Sequence, residues 1–106
     1  MPKYLIKASY TAEGAKGLLK DGGSKRGESA EQAIKSAGGK MEAFYFAFGD
    51  TDVFLIVDAP DHASVSAASL AINASGAVRT ETVVLLTPEE IDQAAKKSVT
   101  YRAPGH

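Results

Sequence analysis

The chain contains no cysteine and no tryptophan, and only two of its 106 residues are histidine. The lack of cysteine excludes disulfide bonds, thiolate nucleophiles and thiolate metal sites. With two histidines, few ligands remain for a transition metal, and we expect neither a metal site nor a cofactor. No apolar run approaches the ~20 residues that a membrane-spanning helix requires, and no apolar leader opens the chain. We therefore expect a cytoplasmic protein without a membrane partner.

An excess of charge of one sign is also lacking, because 12 Lys and Arg stand against 13 Asp and Glu. The charges are unevenly placed: residues 1–40 contain eight bases and four acids, whereas residues 41–95 contain nine acids and one base, Arg79. The basic residues are spread over one predicted strand and two predicted helices, without an aromatic stripe or an RNA-binding signature. We interpret them as solvated helix faces and expect no nucleic-acid partner.

All four phenylalanines occur within residues 43–61, where two apolar runs flank the sequence Gly-Asp-Thr-Asp. This pattern predicts a β-hairpin with Gly49 and Asp50 in its turn, because glycine supplies the positive φ of a tight turn. Such a turn sets Phe46 opposite Val53. A four-residue loop would divide the side chains between the two faces in the same way, whereas a three-residue loop would not.

Alternation along the two hairpin strands assigns six apolar side chains to one face: Phe44, Phe46, Phe48, Val53, Leu55 and Val57. The opposite face receives Ala43, Tyr45, Ala47, Asp52, Phe54, Ile56 and Asp58. We interpret the first face as core beneath helices. The second face is also largely apolar, unlike a sheet face that is left in water. We therefore expect another molecular surface to cover it.

Periodicity, helix caps and glycine stops predict the remaining elements. In order, we predict a strand at Lys3–Tyr10, a helix after Thr11, a helix from about Ser24 to Gly38, the hairpin, a helix after Asp61, a strand at Val78–Leu86 and a helix after the capping box at Thr87. The order β-α-β-β-α-β plus a C-terminal helix is typical of the α+β, ferredoxin-like split βαβ fold. We assign residues 1–97 to one domain and residues 98–106 to a tail.

The bare sheet face of such a fold also indicates how copies of the chain associate. Helices would cover only one side of the sheet, and the simplest cover for an apolar second side is the same side of a second copy. We therefore expect a homodimer in the form of a dimeric α+β barrel, and we leave a higher oligomer open.

The chain resembles the GYD-domain family of small bacterial proteins over roughly residues 3–90. The resemblance is carried by the segments Ser24-Lys25-Arg26, Gly38-Gly39-Lys40, Phe44–Asp52, Ala59-Pro60-Asp61 and Gly76–Thr80. Within the turn, Thr51 stands where the family has the tyrosine of its Gly-Tyr-Asp motif. The resemblance implies a dimeric α+β barrel, related in shape to antibiotic-biosynthesis monooxygenases and to ligand-sensing regulatory modules, and it implies no settled activity.

Six residues are candidates for a binding site: Tyr45, Asp52, Phe54, Ile56, Arg79 and His62. The first four share the second hairpin face, and an apolar surface with few polar groups is the usual form of a small-molecule site. The alternative is that they fill a dimer core, with Asp52 at the rim. Arg79 is suited to binding a ligand carboxylate, or to a salt bridge with Asp52 or Asp58. His62 follows a helix cap. Three interpretations are open for it: a proton carrier, a haem ligand or an ordinary surface residue.

No nucleophile motif, phosphate-binding loop or dinucleotide-binding glycine pattern is present, and we assign no catalytic residue. We predict a cytoplasmic homodimer that binds a small apolar or carboxylated molecule or serves as an assembly module. The alternative is an enzyme of the cofactor-independent oxygenase or isomerase kind, which encloses an apolar substrate in the barrel cavity and moves a proton with one or two polar groups. A third hypothesis is haem binding through His62.

The assignment of faces also makes a mutational prediction. Phe46→Ala should open a core cavity and cost about 3–5 kcal/mol. A charged residue at Phe54 should instead weaken self-association, because it would place an unpaired charge in the contact between the two copies.

Overall fold

The computed structural model describes all 106 residues. Its elements are β1 (Lys3–Tyr10), α1 (Ala12–Asp21), α2 (Gly23–Ser36), β2 (Lys40–Phe46), β3 (Val53–Asp58), α3 (His62–Ala74), β4 (Val78–Leu85) and α4 (Pro88–Ala95). The strands form one antiparallel sheet in the order β2-β3-β1-β4. This arrangement confirms the predicted α+β, ferredoxin-like split βαβ fold with an added C-terminal helix. None of the helices combines the length and apolar character needed to cross a membrane.

Side-chain caps begin three of the four helices at the predicted residues. Thr11, Asp61 and Thr87 each accept a hydrogen bond from the backbone N–H three positions later. The N–H of Thr87 in turn donates to the side chain of Glu90, which completes a capping box. These bonds satisfy N–H groups that the first turn of a helix leaves without a partner.

The core lies between one face of the sheet and the helices. On β1 the buried residues alternate, with Tyr4 and Ile6 each 1% exposed. Val53, Leu55 and Val57 alternate in the same way on β3, so that one side of the two central strands lies under the helices. The core consists of Tyr4, Ile6, Ala8, Ile34, Val53, Leu55, Val57, Ala59, Val65, Ala68 and Val78.

The hairpin has the predicted register and a longer loop than predicted. Phe46 lies opposite Val53. The N–H of Ala47 donates to the carbonyl oxygen of Asp52 at 2.8 Å, so that the loop comprises residues 48–51. The prediction of a two-residue turn at Gly49 and Asp50 was therefore wrong. The assignment of faces is unaffected, because a loop two residues longer preserves the alternation.

Two phenylalanines that were predicted in the core are partly or wholly outside it. Phe48 lies in the loop, and its side chain is fully exposed at 106%. Phe46 is 41% exposed, since it ends the edge strand β2. Its ring meets that of Phe44 edge-on, with the ring centroids 5.2 Å apart, and lies beside Gly23 at the start of α2. The predicted cost of Phe46→Ala was therefore too large, because the substitution removes a half-exposed ring.

The C-terminal segment projects from the rest of the fold. Every residue from Leu86 to the end of the chain is exposed. The chain measures 55 × 33 × 22 Å and has a radius of gyration of 16.9 Å, against roughly 13 Å for a compact domain of this length. Helix α4 therefore presents its side chains, among them the 51% exposed Ile91, to the surroundings of the protomer.

Candidate functional site

The sheet face opposite the helices, which we call the open face, has no cover within the chain. On β1, Leu5 and Lys7 alternate with the buried Tyr4 and Ile6 and therefore point to this side. Strand pairing extends the open face over all four strands. It consists of Lys3, Leu5, Lys7 and Ser9 of β1, Lys40, Ala43 and Tyr45 of β2, Phe54, Ile56 and Asp58 of β3, and Arg79, Glu81, Val83 and Leu85 of β4.

A row of apolar side chains, which we call the apolar row, crosses the whole open face. Ala43 lies opposite Ile56, and Ile56 lies opposite Leu5 of the central strand β1. On the other side of β1, Leu5 lies opposite Val83, which is 38% exposed. With neighbouring strands about 4.8 Å apart, the row is roughly 14 Å long. A continuous apolar strip of this kind on a protein surface is typical of a contact surface.

The adjacent row on the open face mixes aromatic and charged side chains. Tyr45 lies opposite Phe54, and its side chain is 71% exposed. Phe54 lies opposite Lys7, which in turn lies opposite Glu81. The aromatic pair thus belongs to β2 and β3, and the charged pair belongs to β1 and β4.

Three charged side chains form an ion cluster at the end of the open face. Lys3 Nζ donates to Asp58 Oδ1 at 2.9 Å and also to the carboxylate of Glu42, which comes from a β-bulge in β2. The pKa of Lys3 is raised, chiefly by its hydrogen bond to Glu42 and to a smaller extent by its hydrogen bond to Asp58. The hydrogen bond from Lys3 lowers the pKa of Asp58. The Asp58 carboxylate is therefore engaged at this cluster.

Four of the six candidate residues lie on the open face, but they do not form one cluster. Tyr45, Phe54 and Ile56 are neighbours on β2 and β3. Arg79 lies on the edge strand β4 opposite Ser9, so that β1 separates it from the other three. Arg79 is exposed and forms no ion pair with a carboxylate of its own chain. Neither of the salt bridges that we considered for it is formed.

Asp52 joins the hairpin to β1 and does not lie beside Tyr45. Its carboxylate accepts a hydrogen bond from the N–H of Tyr10 at 2.8 Å, and its own N–H donates to the carbonyl of Ala8 at 2.9 Å. The side chain therefore lies along the end of the sheet, because Asp52 precedes β3 and is outside the strand alternation. It borders a groove of about 450 Å³ that Phe46 also lines.

His62 lies on the helix side of the sheet, away from the open face. Its Nδ1 is 2.6 Å from the hydroxyl of Tyr4, and the two rings meet edge-on with their centroids 5.7 Å apart. Because Tyr4 is 1% exposed, His62 supplies the hydrogen-bond partner that a buried phenol requires. This contact is a structural role that the sequence did not reveal.

The enzyme hypothesis calls for a closed cavity that touches at least two of four polar candidates: Tyr45, Asp52, His62 and Arg79. The groove at Asp52 includes none of the other three, and the polar depression at Arg79 includes none either. The sheet itself separates His62 from Tyr45. A single chain therefore brings no pair of these groups together for proton transfer.

Three of the four residues of the apolar row, Ala43, Leu5 and Val83, were not among the six candidates, although Ala43 was assigned to the same face. A weak local signal for Leu5 and Val83 exists, because Leu5 is apolar on the otherwise polar face of β1 and the end of β4 is apolar on both faces. Their alignment with Ile56 depends on the strand order, which no local pattern contains. Only the pairing of β1 with both β3 and β4 joins them into one surface.

The fold and the sequence agree with one known family. Residues 4–95 match the GYD domain, which covers the chain from β1 to the last residue of α4 and confirms the resemblance. No curated protein matches the chain.

Proposed function

We propose that this chain, which belongs to the GYD domain family, works as a cytoplasmic homodimer in which two open faces meet. In this role it is an assembly module or holds a small apolar or carboxylated molecule between the two sheets. The observation that carries the proposal is the apolar row, which crosses all four strands on a face without covering helices. A sheet face made for water would be polar at these positions.

The same face of a second copy is a suitable cover for physical reasons. Removing apolar surface from water favours association, and a two-fold contact needs only one self-complementary patch. The charged residues of the open face carry both signs: Lys3, Lys7, Lys40 and Arg79 are basic, and Asp58 and Glu81 are acidic. A contact between two such faces can therefore place bases of one copy opposite acids of the other.

The projecting helix α4 is short and has exposed apolar side chains, which is a second and independent reason to expect self-association. It has eight residues, fewer than the roughly 12–15 that an isolated helix needs to be stable in water. Its capping box helps, but Ile91 and the preceding Leu86 are 51% and 57% exposed. Packing α4 against a second copy would bury these side chains and stabilise the helix.

The ligand part of the proposal concerns the aromatic half of the open face. Packed sheets lie about 10 Å apart, and in the dimer the side chains of Tyr45, Phe54 and Ile56 would border the space between them. A small apolar molecule held there would contact these three residues. Arg79, at the edge of the same face, would be available for a carboxylate.

Two adjacent valines of β4 provide a matched test. Val83 belongs to the apolar row, whereas Val84 is on the helix side, and the two are 38% and 49% exposed. Val83→Glu should dissociate the dimer, because it places an unpaired carboxylate in the apolar contact. Val84→Glu makes the same chemical change on the other side and should leave the dimer intact. Sedimentation velocity over about a hundredfold range of protein concentration measures both.

Phe54→Asp should behave like Val83→Glu in this experiment. The thermal midpoint of the wild type should rise with protein concentration, because association stabilises only the folded chain. A wild type that sediments as a folded monomer at micromolar concentration would refute the proposal. Equal dissociation of the two valine variants, with circular dichroism showing that both are folded, would refute the assignment of the contact to the open face.

A further inference from the structure

A small apolar cavity lies on the opposite side of the sheet from the open face, beneath the helices. Its volume is about 90 Å³. The sheet contributes Ile6 and Leu55, α2 contributes Ala30 and Ala33, and α3 contributes Ile72. The alanines of α2 explain the space, because their short side chains do not reach far enough to fill the volume between this helix and the sheet.

One cation borders this apolar cavity. Arg26, in the first part of α2, lines it and is half-buried. Its guanidinium is absent from both ion pairs of the chain, which belong to Lys3. The other lining residues with a polar side-chain group are Tyr10, Ser29 and Thr80, each of which has a neutral hydroxyl. Arg26 is therefore the charged group of the lining that can bind an anion.

We infer that the cavity binds a short-chain carboxylate, with the apolar tail inside and the carboxylate at Arg26. An arginine side chain recognises a carboxylate through two parallel N–H···O bonds, and the Ser29 hydroxyl is a further donor. An apolar lining with one or two convergent polar groups is the usual composition of a small-molecule site.

The size of the cavity limits the length of the ligand. An apolar cavity of about 150 Å³ holds one benzene molecule, so the 90 Å³ found here has room for a tail of about three or four carbon atoms. Affinity should therefore increase from acetate to butyrate and decrease for octanoate. The cavity lies within one protomer, so binding should persist in the Val83→Glu variant, and the inference is independent of the proposed dimer.

The experiment is a ¹H–¹⁵N NMR titration of the full chain with butyrate, and with butyramide as a neutral molecule of the same shape. Butyrate should cause saturable shifts of amides around the cavity, including those of Ala30, Ala33 and Ile72. Butyramide should bind at least about tenfold more weakly than butyrate, because it lacks the negative charge that strengthens the hydrogen bonds from Arg26.

Three variants determine whether Arg26 and the cavity are responsible. Arg26→Met should reduce butyrate affinity to that of butyramide, whereas Lys25→Met, at the exposed neighbouring position, should leave it unchanged. Ala33→Leu fills the cavity and should abolish the binding of both molecules. Equal affinity for butyrate and butyramide, retention of butyrate binding in Arg26→Met, or the absence of saturable shifts up to tens of millimolar would each overturn the inference.

Discussion

Two glycines of α1 provide a test of how closely this helix is held against the end of the sheet. Gly14 is buried, and a methyl group on its Cα would lie 2.0 Å from the carbonyl oxygen of Ala77 and 2.9 Å from the ring of Tyr10. Gly17, one turn later, has no atom within 4 Å of such a methyl group. Substitution of each by alanine should therefore change the stability in opposite directions.

The expected magnitudes follow from these contacts. Gly17→Ala removes the helix penalty of glycine and should stabilise the fold by about 0.5–1 kcal/mol, a rise in Tm of about 2–8 °C. At Gly14 the methyl group would lie far inside the normal separation of about 3.5–4.0 Å. The Ala77 oxygen cannot retreat freely, because it accepts hydrogen bonds from the N–H and the hydroxyl of Thr11 at 3.0 and 3.2 Å.

Overpacking costs about 1–3 kcal/mol, and a weakened hydrogen bond costs about 0.5–1.5 kcal/mol more. After the gain in helix propensity is subtracted, Gly14→Ala should destabilise the fold by about 0.5–4 kcal/mol. Urea unfolding of both variants and the wild type, followed by circular dichroism at one protein concentration, measures the differences. A Gly14→Ala midpoint equal to or above that of the wild type would refute the close contact of α1 with Ala77.

Two further predictions concern the ion cluster and the hairpin. The hydrogen bond from Lys3 lowers the pKa of Asp58 below its ordinary value of 3.8. The stabilisation that the ionised Asp58 gives to the fold is therefore complete above pH 3.8 and is lost as the pH falls through the lowered pKa. Asp58→Asn should therefore be less stable than the wild type in urea at pH 7 but not near pH 2, and an equal difference at both pH values would contradict this explanation. Ile6→Ala should cost about 2–5 kcal/mol, and Phe46→Ala should cost less because its ring is 41% exposed; equal losses would mean that Phe46 is more enclosed than its exposure indicates.

The local sequence was sufficient to locate most elements of the fold. β1 has the predicted bounds, and β4 ends one residue before the predicted Leu86. The caps at Thr11, Asp61 and Thr87 lie where they were predicted. These features are predictable because strand alternation and helix capping depend on residues only two to four positions apart.

The division of the hairpin between two faces was also predictable, although its loop was not. Alternation has a period of two, so the faces remain the same for any loop length of the same parity. The loop, which includes Phe48, is four residues long because the N–H of Ala47 donates to the carbonyl oxygen of Asp52. That choice depends on Asp52 being held against β1 through Tyr10, a contact across 42 positions of the chain.

Only the tertiary structure determined which side chains meet and which remain uncovered. Alternation assigned Phe46 to the core side, but its exposure follows from the position of β2 at the edge of the sheet. The bond between His62 and Tyr4, and the cavity beside Arg26, join segments that are distant in sequence. A local pattern indicates the direction of a side chain, whereas strand order and helix packing determine what lies in that direction.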